Sequence, residues 1–301
     1  MSEEYESLVE AILRRAASIP DLAALNVRSL IQPSIRLTTT AGSHRQLELG
    51  GSRIGGTPDV PPGWEWPRWG PPEVRRPGPE RRHPDRPSPL GFIAQIDLAA
   101  MPRVADGLSN SGWLYFFYDR YDEPWGFDPA DRGCCRVFHV EGDRSRLVRA
   151  EPPADLETDH EATPCRITAR LEPTLPDELP GVTYNSPICE AYWELCRKLT
   201  DGDPVQHRLL GHPQVIQNPM ELECQLASNG VYCGDAGGYE SEQAKLLADG
   251  AGDWRLLLQI DTDEDGPGWM WGDCGRIYFW IKRQDLCSGR FDDVWLIFQC
   301  C

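Results

Sequence analysis

The feature that most constrains this chain is that it matches itself. Phe92-Ile93-Ala94-Gln95-Ile96-Asp97 is answered by Leu256-Leu257-Leu258-Gln259-Ile260-Asp261. Gly112-Trp113-Leu114-Tyr115-Phe116-Phe117 is answered by Gly275-Arg276-Ile277-Tyr278-Phe279-Trp280. Gln95 precedes Gly112 by 17 residues, and Gln259 precedes Gly275 by 16. Upstream, Gly56-Thr57-Pro58 pairs with Gly211-His212-Pro213. Three elements in one order at near-equal spacing describe a duplication. Its period is about 160 residues, far beyond the ~20–50 of stacked repeats.

The repeated runs also fix the type of structure. Gly91–Leu98 and Gly112–Asp119 are too short for core helices and rich in aromatic and β-branched residues, so they predict buried strands. Residues 35–40, 136–140 and 165–171 predict further strands. Leu8, Val9, Ile12 and Leu13 share one helical face near the start. A short second helix is expected from Pro20-Asp21 through residues 22–31, stopped by Pro33. Pro187 opens a helix to about Leu199, where its fixed φ suits an early position, and another is expected over residues 240–247. The expectation is an α+β fold with mostly antiparallel sheets, internally duplicated, with flanking helices. Its parts are an N-terminal helical segment (1–40), a first β-rich repeat (41–180) and a second (181–301), forming one compact unit. Residues 67–90 are rich in Pro and Arg and read as a flexible insert in the first repeat.

Each repeat carries one Gln inside an apolar strand, where it must find partners or cost about 1–3 kcal/mol. An Asp follows two residues later, so the period of two puts both on one face. Gln95/Asp97 and Gln259/Asp261 therefore predict matched polar pairs facing a shared seam. The competing reading is that they brace loops by bonding backbone groups.

Charge narrows the partners. With 47 acidic against 30 basic residues the net charge is −17, which repels nucleic acid and anionic membranes and attracts a basic protein or a cation. No apolar run reaches the ~18–20 residues of a membrane span. The acidic opening segment lacks the basic start and apolar core of an export signal, so a cytoplasmic location is expected. Eleven cysteines without a C-x-x-C pair suggest reduced thiols rather than disulfides or a zinc knuckle.

Chemistry-bearing motifs are few. Asp261, Asp263 and Asp265, followed by Gly266, begin like a calcium loop, but the twelfth position is Gly272 rather than Glu. A divalent metal (calcium, magnesium or manganese) and a solvated acidic turn are the two readings. Trp64, Trp66 and Trp69, with Trp269 and Trp271, predict either core anchors or the wall of a pocket. Asp273-Cys274 between two glycines suggests close backbone approach. Cys274 would act as a nucleophile only with a base nearby, and His212 is the histidine best placed by the repeat.

Segments 55–67, 89–98, 112–119, 209–217, 256–265 and 271–281 resemble the DUF1963 (YwqG-like) family over most of residues 45–301. The resemblance implies an α+β architecture and a cytoplasmic bacterial protein, but no reaction. Two functions are weighed. One is a non-catalytic binding protein of inhibitor or immunity type for a basic protein partner, with ligand or partner contacts at Gln95, Asp97, Gln259, Asp261, Trp269, Trp271, Asp273 and His212. The other is a metal-dependent hydrolase or small-molecule-binding enzyme using the Asp/Gln seam.

Overall fold

The computed structural model describes residues 2–43, 46–70, 87–105, 107–156, 162–179, 181–182, 186–200 and 205–301. The strands in chain order are β1 Gln32–Ala41, β2 Arg53–Ile54, β3 Asp59–Val60, β4 Arg68–Trp69, β5 Ser88–Pro89, β6 Gly91–Asp97 and β7 Trp113–Tyr118. They continue with β8 Cys135–Val140, β9 Val148–Arg149, β10 Cys165–Thr174, β11 His207–Leu209, β12 Trp254–Asp261, β13 Arg276–Lys282 and β14 Trp295–Gln299. Ten of these form one antiparallel sheet in the order β14-β13-β12-β11-β1-β10-β2-β6-β7-β8. The fold is thus α+β and mostly antiparallel.

The strand order reads alike from both ends. The repeated runs are β6 and β12, then β7 and β13, and each pair sits at the same remove from the sheet centre. The centre is β1 paired with β10 over ten residues, from Gln32↔Thr174 to Ala41↔Cys165. Even a local irregularity is shared. The β6–β7 register shifts between Phe92 and Ala94, and the β12–β13 register shifts between Leu256 and Leu258.

The sheet curls until its two halves touch. Phe116 of β7 meets Phe279 of β13 with ring centroids 5.2 Å apart, and Tyr118 lies 6.2 Å from Trp271. The Phe298 N–H donates to Trp125 O at 3.0 Å, tying β14 to the loop after β7. The apolar residues of both halves thereby enclose one core. The opposite face is covered too. Trp64 and Trp66 pack on Tyr115, Phe138 and Phe117. In the second half, helix α3 (Glu221–Ala227, following α1 Glu3–Ala17 and α2 Pro187–Thr200) packs beside Trp254, Tyr278 and Trp280. Strands covered on both faces need continuous apolar runs, which is why β6 and β7 are buried at every position.

Three local expectations change. The second helix is two short 3₁₀ turns, Pro20–Leu22 and Val27–Leu30. Pro33 does not stop anything: it lies in β1, near its end, where β11 does not reach and no strand needs its missing N–H. The helix expected over residues 240–247 is split at Ser241 into α4 (Ala236–Glu240) and α5 (Glu242–Leu247), because the Ser241 hydroxyl caps Ala244 N and starts a new helix. In the insert, residues 71–86 lie outside the described residues, and its ends pair as β4 and β5. Cys300 is buried and Cys301 exposed.

Candidate functional site

The most polar part of the interior is a pair of corresponding arginine centres. Arg53 of β2 pairs across the sheet with Gln95, and Arg208 of β11 pairs with Gln259. Each arginine stands on the face opposite the shared core, because its neighbours Ile54 and Leu209 take the inner face.

In both centres the same bonds hold the following turn. Gln95 Oε1 accepts from Asp59 N at 2.6 Å, and its Nε2 donates to Gly51 O at 2.9 Å. Gln259 Oε1 accepts from Gln214 N at 2.9 Å, and its Nε2 donates to Gln206 O at 2.6 Å. Tyr115 and Tyr278 donate their hydroxyls to Asp59 O and Gln214 O, both at 2.6 Å. Arg53 and Arg208 donate to Thr57 O and His212 O, both at 3.1 Å. Both turns also contain two successive left-handed residues, Gly55-Gly56 and Leu210-Gly211. A side chain at Gly55 would strike Thr163 O at 2.5 Å, so glycine is required there.

The centres differ in what faces the guanidinium. Arg53 forms an ion pair with Asp59, fully buried on both sides. Arg149 Nε donates to Asp59 Oδ1 at 2.7 Å, and Gly50 N donates to Oδ2 at 2.7 Å. Burial pushes the Asp59 carboxyl up. The hydrogen bond from Arg149, the charge of Arg53 and the Gly50 N–H outweigh it, and the carboxyl sits below its usual range.

Where the first centre has Asp59, the second has Gln214. Arg208 donates to Gln206 Oε1 at 2.8 Å, and its nearest carboxylate oxygen, Glu172 Oε1, is 3.5 Å away without a hydrogen bond. Glu172 gives its other oxygen to Arg36 Nε at 2.9 Å. Arg276 lies beyond, its Nε 2.8 Å from Asp261 Oδ1. Burial pulls the Arg208 guanidinium down to about 10; Glu172 opposes this, while Arg36 and Arg276 reinforce it. This centre opens onto a cavity of about 390 Å³.

The shared seam does not form. The faces that meet across the molecule are the apolar ones, and four strands separate β6 from β12 in the sheet. Gln95 and Gln259 brace turns within their own halves, as described above. Asp97 pairs with Arg144 and caps Ala99 N, while Asp261 accepts from Gln206 N at 2.8 Å and faces Arg276. Asp97 N bonds Ser52 Oγ and Asp261 N bonds His207 Nδ1, again corresponding positions.

The remaining predicted residues scatter. His207 accepts at Nδ1, so its proton is on Nε2, which reaches Asp263 Oδ2 at 3.2 Å. Asp263 also accepts from Thr39 and Gly266 N, and Asp265 is exposed. Asp261, Asp263 and Asp265 are not gathered; among the described residues no group of three or more His, Cys, Asp or Glu could hold a metal. Trp269 and Trp271 are buried against each other at 5.3 Å, and Trp271 Nε1 donates to Asp261 O. Asp273 and Cys274 are exposed. His212 bonds Leu30 O through Nε2 at 3.0 Å, and burial lowers its ring to about 4, so it is neutral near pH 7. It and Cys274 are not in hydrogen-bond contact.

Sequence reasoning missed Arg53, Arg208, Arg36, Glu172 and Gln214. The signal was present in the repeat itself: Ser52-Arg53-Ile54-Gly55-Gly56-Thr57-Pro58-Asp59-Val60 runs alongside His207-Arg208-Leu209-Leu210-Gly211-His212-Pro213-Gln214-Val215. Extending the short match on both sides brings out the two arginines and the Asp-to-Gln difference.

A family model described as a domain of unknown function, DUF1963, matches residues 52–300. No curated protein matches the chain.

Proposed function

The chain belongs to the DUF1963 family, which carries no assigned activity, and we propose that it is a non-catalytic binding protein for a basic protein partner, of inhibitor or immunity type. The observation that carries this reading is Leu246, 85% exposed on α5. An exposed apolar side chain is ordinary by itself; its surroundings are what matter. Asp235, Glu240, Glu242, Asp249 and Asp253 are exposed in the same stretch of chain, where the one base, Lys245, pairs with Glu242. Tyr239, 36% exposed, adds an aromatic edge and bonds Glu223. An acidic stretch carrying an exposed apolar side chain suits a partner with Lys and Arg beside an apolar pocket, the charge steering encounter and the apolar contact supplying affinity.

A metal-dependent hydrolase built on the Asp/Gln seam would need free carboxylates in the repeat. Asp97 and Asp261 instead face arginines, and both glutamines are committed to backbone groups.

Immobilised protein tests the reading. At low salt it is expected to retain a basic protein from cells of its source, released at high salt. Leu246→Ser and Glu242→Lys should each lose that protein while leaving the melting temperature unchanged. Retention of the same proteins by wild type and both variants would reject the proposal.

A further inference from the structure

The two arginine centres supply a template and an unfilled copy of it. In the first, the Arg53 guanidinium holds the carboxylate of Asp59, on a turn fixed by Gln95 and Tyr115. In the second, the turn is fixed by the same bonds from Gln259 and Tyr278, but residue 214 ends in an amide. Arg208 makes no hydrogen bond to a carboxylate among the described residues. What stands beside it is the 390 Å³ cavity.

The polar atoms around that cavity are unusual for this protein. Eight buried side-chain nitrogen or oxygen atoms lack a hydrogen-bond partner among the described residues, and four belong to residues lining this cavity: Arg208 Nε, Gln214 Oε1, Glu172 Oε1, which lies 3.5 Å from Arg208, and Arg276 Nε, which lies 2.8 Å from Asp261 Oδ1. What separates the two centres is the acid: Arg208 donates to Gln206 Oε1 and His212 O, so its guanidinium is a buried cation without a hydrogen-bonded carboxylate, which a carboxylate entering the cavity would supply. Another cavity, about 1220 Å³ beside α1, is lined by none of these atoms.

Charge and shape set the ligand class. Arg36, Arg197 and Arg276 line the cavity with carboxylates at Glu172, Glu194 and Asp261 beside them, which leaves Arg208 as the lining guanidinium without a hydrogen-bonded acid among the described residues. Trp193, Pro213 and Val215 supply apolar wall. A volume of 390 Å³ is at the small end of the ~300–1,000 Å³ range of small-molecule sites. We propose that this cavity binds a small carboxylic acid with a short apolar or aromatic body, its carboxylate taking at Arg208 the place that Asp59 takes at Arg53.

Benzoate is a suitable probe, with benzamide as its neutral analogue and sulfate as a plain anion. Calorimetry should show saturable benzoate binding to the full chain, with benzamide and sulfate at least about tenfold weaker, since benzamide brings no charge to the guanidinium and sulfate no apolar body to the Trp193, Pro213 and Val215 wall. Gln214→Asp rebuilds the first centre in the second. It should fold, melt no lower than wild type, and bind benzoate at least about tenfold more weakly because its own carboxylate competes. A crystal soaked in 4-bromobenzoate should show bromine between Trp193 and Val215. The proposal is overturned by absence of saturable benzoate binding, by equal binding of benzamide or sulfate, by a folded Gln214→Asp protein that binds as wild type does, or by bromine located elsewhere.

Discussion

The two halves hold their turns with the same bonds and neutralise their arginines differently. Around Arg53 the acid is internal: the buried Asp59 carboxylate takes two guanidiniums and a backbone N–H. Around Arg208 the carboxylate is shared at a distance, Arg36 takes its better oxygen, and the centre faces a cavity. The comparison separates two jobs that a buried arginine can do. The bonds to Thr57 O and His212 O are common to both halves and so belong to the fold. The hydrogen-bonded acid on the turn is found in one half; in the other Glu172 stands 3.5 Å from Arg208 and the centre opens onto a cavity.

The largest expected effect breaks the first centre. Asp59→Asn leaves Arg53 and Arg149 facing a neutral group inside the protein, and urea unfolding should show a loss of about 3–5 kcal/mol. The mirror change Gln214→Leu removes an oxygen with no partner and should cost less than about 1 kcal/mol. Similar losses for the two would mean that Gln214 carries structure the comparison denies it.

The next effect sharpens the likeness. Gln95→Leu and Gln259→Leu each strand one buried N–H and one C=O, so each should cost about 2–4 kcal/mol, and the two losses should agree within about 1 kcal/mol. A difference larger than that would show that the two braces are not equivalent.

The remaining effect concerns a residue without a matching partner. His212 occupies the place of Thr57, and its folded-state value of about 4 lies below the unfolded value of about 6.5. Between those values the unfolded chain binds the extra proton, so stability is full above pH 6.5 and falls as pH drops toward 4. The contribution is on the order of 2 kcal/mol for this partly buried ring. His212→Thr should be less stable at pH 7, having lost the bond to Leu30 O, but show a shallower decline from pH 6.5 to 4. Equal slopes for the two proteins would remove His212 from the acid response.

Much of the fold could be read from the chain. β6, β7, β12 and β13 are buried on both faces, so their apolar runs are continuous and bounded by glycine or charge. β11 is three residues long and β2 two, and runs that short carry no periodicity, so nothing in the sequence marks the strands bearing Arg208 and Arg53. The site was half legible. Gln95 and Gln259 announced themselves as polar residues in apolar strands, but sequence could not say that the sheet curls toward its other face. Arg36 and Glu172 are 136 residues apart and meet only through the β1–β10 register.

The place of β1 has a practical consequence for anyone dissecting this protein. The family match begins at residue 52, yet residues 32–41 are the slat wedged between β10 and β11. A piece trimmed to the matched boundaries would keep every recurring motif and lose the keel that joins port to starboard. Two raw backbone edges would then confront each other across an empty lane, inviting a neighbouring molecule's strand into it.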